Sequence, residues 1–209
     1  MVYKEGAIDG FIIEKLHPEF LEAFLVQRVQ TEYESIDPFG NTERYEFVEY
    51  IKTYFRLSTR DATLELLDPG HSGSKLISRL LEALGQKFYI EELAVNPLAW
   101  ANAFRAEVGL YGTVEKIQIG SIAIGGSAVG QLLVKGSGDI AEVAIEFVSP
   151  SDYCLEKVQV KFGAYRGSVS FQKNGSVFLS SAISEQWRDP FRNSLRSLLT
   201  STGNIPASK

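Results

Sequence analysis

A chain of 209 residues, 44% hydrophobic and 22% charged, is long enough to bury one large core or two small ones and too apolar to stay disordered. It has no apolar run of the roughly 18 residues that a membrane span needs, and its first ten residues, MVYKEGAIDG, lack the basic-then-apolar pattern of a secretory leader. The single cysteine, Cys154, forms no internal disulfide, which completes the expectation of a cytoplasmic protein without membrane association. The net charge of -5 is unevenly spread: residues 1–50 hold four Lys/Arg against eleven Asp/Glu, net -7, while residues 151–209 hold eight against four, net +4. Clustered charge of opposite sign suits either a head-to-tail assembly surface or plain solvated faces.

In chain order, residues 8–16 predict a short strand. Residues 19–35 fit two periods. Phe20, Leu21, Phe24 and Leu25 follow a helical stripe, whereas Leu25, Gln27, Val29, Thr31 and Tyr33 alternate, so a brief helical start giving way to a strand is expected. DPFGNTE (residues 37–43) is a turn. From Tyr45 to Leu57 the alternation is strict: Tyr45, Phe47, Ile51, Phe55 and Leu57 share one side, and Val48, Tyr50, Lys52, Tyr54 and Arg56 the other. DATLELL follows as a partner strand, then a helix over residues 74–84 with Leu76, Ile77, Leu80, Leu81 and Leu84 in one stripe, a serine to cap it and Gly85 to stop it. KFYIEELAV predicts another strand, and Asn96-Pro97 opens a helix.

Beyond Leu110 the sequence is glycine-punctuated and β-rich as far as Val148, with turns at Gly125-Gly126 and KGSGD. The meander resumes after Cys154, and Asn174-Gly175 marks a type I′ hairpin. Asp189, as cap, and Pro190 open a last helix with the stripe Phe191, Leu195, Leu198 and Leu199; Gly203 stops it, and a loose tail follows.

The fold expected is α+β: antiparallel β-meanders with two to four amphipathic helices packed on one face. It divides into an N-terminal α+β half, residues 1–110, and a C-terminal β-rich half with a terminal helix, residues 111–209, or runs as one continuous domain. EYIKTYFRLSTRDATLELLD and EKVQVKFGAYRGSVSFQKNGSVFLS share one layout, a hairpin of long strands leading into a helix, which raises a pair of pseudo-repeated halves.

DPGHSGSK (residues 68–75) sits where a hydrolase places its nucleophile or a nucleotide-binding protein its phosphate loop. Gly70-His71-Ser72-Gly73-Ser74 lacks the last glycine of a nucleophile elbow. A neutral serine also needs a separately positioned base, and of the two histidines, His71 adjoins Ser72 and His17 lies upstream. The spacing of Gly73 and Lys75 misses the phosphate-loop pattern. Ser74 and Lys75 at the helix start remain as an anion site, set against the ordinary strand-to-helix turn that Asp68, Pro69 and the glycines also make. No catalytic set, metal site or cofactor is expected: two distant histidines and one cysteine give no ligand spacing.

Two surface features carry binding chemistry. Tyr50, Lys52, Tyr54 and Arg56 place two rings and two cations on one strand face, a combination that stacks bases and attracts phosphates, or else simply covers a solvated sheet. Arg188, Arg192 and Arg196 recur every four residues and form a basic ridge if the last helix reaches back to Arg188. The function expected is therefore a non-catalytic binding or assembly protein acting through protein–protein contacts, with self-association included. A nucleic-acid-binding module using the strand face or the arginine ridge is the alternative.

Overall fold

The structure, a computed structural model, describes residues 2–85, 88–125, 127–148, 153–163, 167–180 and 185–201. It is α+β, as expected, and divides into two compact units, Met1–Ile90 and Glu91 onward. Each has its own antiparallel sheet, of four and five strands respectively. No helix among the described residues is long and apolar enough to cross a membrane.

In the first unit β1 (Asp9–His17), β2 (Phe20–Ile36), β3 (Thr42–Ser58) and β4 (Thr63–Leu67) form a simple meander in the order β1-β2-β3-β4. A 3-10 turn, Gly70–Ser72, leads into α1 (Gly73–Leu84). Period two sends Ala23, Leu25 and Phe55 to one face, where Leu76 and Leu80 of α1 cover them and Phe11, Leu21, Leu64 and Leu66 complete the cluster. Asp9 ties β1 to α1: its carboxylate, only 4% exposed, accepts from Arg79 Nε at 3.0 Å and Nη2 at 2.6 Å, with Lys75 Nζ at 4.0 Å. The Asp9 and Glu82 carboxylates hold the Arg79 guanidinium above its ordinary pKa.

Two local expectations for this unit need correction. Phe20–Leu25 has no helical start, because β2 is strand from Phe20 onward and pairs with β3 from Phe20↔Ser58 to Ile36↔Thr42. Both faces of its first turns are covered, so apolar residues fall on consecutive positions and mimic a helical stripe. The serine before α1 does not cap it. Ser72 Oγ instead lies against Thr53 Oγ1 and bonds the Pro69 carbonyl at 2.7 Å. Gly85 ends α1 as expected, at φ +80° with its N–H on the Leu81 carbonyl.

The second unit comprises α2 (Pro97–Val108), β5 (Gly112–Gly125), β6 (Ala128–Lys135), α3 (Ala141–Val148), β7 (Cys154–Phe162), β8 (Ser168–Gln172), β9 (Val177–Leu179) and α4 (Arg188–Ser201), with strand order β6-β5-β7-β8-β9. Val114, Ile117, Ile119, Val158, Val160, Phe162, Val169 and Phe171 make the inner sheet face, packed with Trp100 and Phe104 of α2 and Leu199 of α4. Phe104 stacks on Phe191 at 4.2 Å between centroids, the Trp100 indole donates to Ser194 Oγ at 3.1 Å, and among the described residues no buried side-chain nitrogen or oxygen lacks a partner. Asn96 caps α2 as expected, accepting from the amides of Leu98 and Ala99.

Four expectations fail here. Residues 88–96 form no strand: β propensity without a neighbouring edge leaves one backbone bond to Lys173, from Val95 N at 2.8 Å. AEVAIEFV, expected to be β, is α3. Asp139 accepts from the Ala141 amide at 3.1 Å, alanine and glutamate favour the helix, and Ala144 and Val148 meet the core one turn apart. The Asn174-Gly175 hairpin is real but not type I′, because only Gly175 has positive φ, +77°. Gly175 N bonds Gln172 O and Gln172 N bonds Ser176 O, the longer turn that closes on a left-handed glycine. Helix α4 starts at Arg188, so Asp189 stands in its first turn rather than before it. Gly126, Gly203 and residues 204–209, where a turn, a helix stop and a loose tail are expected, lie outside the described residues.

Candidate functional site

The β2–β3 hairpin outruns its sheet. β1 pairs β2 no further than Gln27, and β4 pairs β3 only from Tyr54 to Ser58. From Val29↔Glu49 to Ile36↔Thr42 the two strands therefore form a ribbon whose outer edges have no strand partner among the described residues. Register assigns its faces. Val29, Thr31 and Tyr33 with Tyr45, Phe47 and Glu49 continue the face that α1 covers lower down. Gln30, Glu32 and Glu34 with Val48, Glu46 and Arg44 continue the opposite one. Tyr33, Tyr45, Phe47 and Tyr50 are all exposed by more than half, and Phe39 at the tip by 90%.

The ribbon's residues 29–49 carry six acids and one arginine, net -5. Glu32 stands directly opposite Glu46, a like-charge pair that weakens the ribbon rather than supporting it. Local bonds hold the tip. Asp37 accepts from the amides of Phe39 and Asn41 and from Asn41 Nδ2, each at 2.8 Å, and these bonds, the Asn41 side chain first, draw its pKa below the ordinary 3.8. The Tyr45 hydroxyl donates to Glu43, which pushes the phenol's pKa up.

The four strand-face residues expected to bind lie at the base of this hairpin, and three of them are engaged by side chains of β2. Arg56 lies over the Phe20 ring at 3.8 Å and donates to Glu22 Oε1 at 3.0 Å. Lys52 Nζ sits 4.9 Å above Phe24, and Tyr54 tilts against that ring at 5.0 Å. Tyr50 and Lys52 are exposed, whereas Tyr54 and Arg56 are half-buried. Rings from β2 thus take up cations from β3 and form a covering layer.

The final helix brings Arg188, Arg192 and Arg196 onto successive turns, as a ridge requires. Arg192 Nη1 pairs with Asp189 at 2.8 Å, and both Arg192 and Arg196 are half-buried. Ser74 occupies the first turn of α1, where its carbonyl accepts from Ser78 Oγ, while Lys75 leans to Asp9. His17 and His71 are exposed: His17 stacks on Phe20 at 4.8 Å and accepts the Glu19 amide. Neither imidazole bonds Ser72, whose hydroxyl is held by Thr53 and Pro69. Among the described residues no three His, Cys, Asp or Glu side chains gather as a metal would need.

The second sheet has a surface not singled out in the sequence. Register puts Lys116 and Gln118 of β5, Leu133 and Lys135 of β6, Lys157, Gln159 and Lys161 of β7 and Phe178 of β9 on the face opposite the core. Lys161 pairs with Glu115 at 3.1 Å and Lys157 lies 5.7 Å from the exposed Phe178 ring. Lys116, Lys135 and Lys157 make no ion pair among the described residues. The signal was in the sequence: EKIQI (115–119) and EKVQV (156–160) alternate a core aliphatic with lysine or glutamine, and the two segments pair as neighbours. In comparisons with protein-family models, curated proteins and solved structures, nothing matches this chain.

Proposed function

We propose that this chain is a non-catalytic binding or assembly protein that works through protein–protein contacts, with the β2–β3 ribbon as its contact element. One observation carries the reading: a ribbon whose edges have no strand partner among the described residues presents Tyr33, Tyr45 and Phe47 in line on a single face. Two-stranded ribbons are marginal alone in water, and exposed aromatics in a row are what interfaces bury. The lone cysteine and the absence of a membrane-spanning helix among the described residues fit a reducing interior such as the cytoplasm. The nucleic-acid alternative draws less support from the strand face, since Lys52 and Arg56 already lie over phenyl rings.

The test is a photoreactive side chain placed at position 47, with a second at position 60 as control. Irradiation in cells or extract is expected to join the ribbon to protein, with far less product from the control. Equal products from both positions, or none from position 47, would overturn the reading.

A further inference from the structure

Both halves of a complementary contact stand on this one chain. The ribbon is an apolar strip, Val29, Tyr33, Tyr45 and Phe47, flanked on its own face by Glu43 and Glu49. The outer face of the second sheet presents Lys116, Lys135, Lys157 and Lys161 around two exposed apolar side chains, Leu133 and Phe178. The sizes agree. Val29–Ile36 extends about 26 Å at roughly 3.3 Å per residue, and five strands about 4.8 Å apart make a face roughly 20 Å across.

Resting on the protein-contact reading above, we propose that the partner is a second copy of this chain, whose lysine face receives the ribbon of the first. Acid flanks meet lysines, and the aromatic strip meets Leu133 and Phe178. Charge selects this arrangement over its obvious rival. Two ribbons packed face to face would bring Glu43 and Glu49 of each copy against those of the other, which costs energy, whereas the ribbon on the lysine face pairs opposite signs. The contact is heterologous, since different surfaces meet, so it propagates into an open chain or closes into a ring. It is also sensitive to salt, because the paired charges are largely exposed.

Light scattering or sedimentation of the full chain over a concentration series is expected to show a mass that grows with concentration, and an apparent association constant that falls at least about tenfold between about 50 and 500 mM salt. The decisive experiment is a charge exchange. Glu43→Lys with Glu49→Lys on one chain, and Lys157→Glu with Lys161→Glu on another, should each remain monomeric alone. A mixture of the two is expected to associate, since the reversed ribbon now fits the reversed face. All four positions are surface ones, and far-ultraviolet circular dichroism confirms that each variant is folded. Failure of the mixture to associate, or a wild-type chain that stays monomeric throughout, overturns the proposal.

If the position-47 cross-link goes to a different protein while the chain stays monomeric, the protein-contact reading survives and the second-copy assignment falls. If a single-stranded oligonucleotide binds the monomer at low salt and Lys157→Glu with Lys161→Glu abolishes that binding, the face belongs to nucleic acid and the assignment falls as well.

Discussion

The two ends of the β2–β3 hairpin obey one alternating pattern and meet opposite fates. At the base, Leu25 and Phe55 are buried beneath Leu76 and Leu80. On the reverse side Phe24, 6% exposed, lies under Lys52 and Tyr54. Some way up the same strands, Tyr33, Tyr45 and Phe47 continue the core face yet each stands more than half exposed. Hydrophobic alternation therefore specifies which way a side chain points, while the lengths of β1, β4 and α1 decide whether anything is there to meet it.

The largest expected effect tests that contrast. Leu25→Ala removes a fully buried side chain and should destabilise the first unit by about 3 kcal/mol, whereas Phe47→Ser should stay within about 0.5 kcal/mol, as exposed substitutions usually do. Urea denaturation of both variants measures the difference. A loss above about 1.5 kcal/mol for Phe47→Ser would mean that the ribbon's aromatic face is covered in the isolated chain. Native-state hydrogen exchange sharpens the same contrast: amides of Leu21–Leu25 should be protected far longer than those of Glu32–Ile36, because local opening of the ribbon breaks few apolar contacts.

A smaller effect separates the two outer faces. Arg56 at the base is engaged by both Phe20 and Glu22, so a double-mutant cycle pairing Arg56→Met with Phe20→Leu should give a coupling of about 0.5–1 kcal/mol. The corresponding cycle on Lys157 and Phe178, at 5.7 Å with the ring exposed, should couple by less than about 0.5 kcal/mol. Equal couplings would show that the lysine face is as self-contained as the strand face at the hairpin's base.

How much of this was legible follows from the same physics. Strand β3 was plain because one of its faces is mostly polar, and α1 because its stripe is narrow. The start of β2 was misread because a strand covered on both faces loses its alternation. Helix α3 was misread because eight residues with apolar side chains on both sides, Val143 and Phe147 outward and Ala144 and Val148 inward, show little period of any kind. Of the site, Tyr50, Lys52, Tyr54 and Arg56 do share one face, but the engagement of Lys52, Tyr54 and Arg56 by Phe20 and Phe24 depends on the pairing Glu22↔Arg56 and Phe24↔Tyr54. Register across a long hairpin is not written in either strand alone. The lysine face shows the converse: its period-two signal in EKIQI and EKVQV was present, and only their adjacency in the sheet makes it a surface.

The smallest effect concerns the ribbon's tip, where hydrogen bonds replace the core that stabilises the base. Asp37 gathers the Phe39 and Asn41 amides and the Asn41 side chain, and its pKa lies below the ordinary 3.8 because the ionised form accepts them best. A carboxylate whose folded value is depressed contributes order that is complete above its unfolded value and is lost as pH falls through the folded one. The amide signals of Phe39 and Asn41 should therefore hold steady from about pH 6 downward and shift together with a midpoint below 3.8. Asp37→Asn should abolish that shift while leaving the base of the hairpin untouched. A midpoint at or above 3.8 would mean that the carboxylate does not organise the turn; the tip's geometry would then rest on Gly40, at φ +85°, and on the backbone bonds from Asp37 N to the Asn41 carbonyl and from Gly40 N to the Asp37 carbonyl.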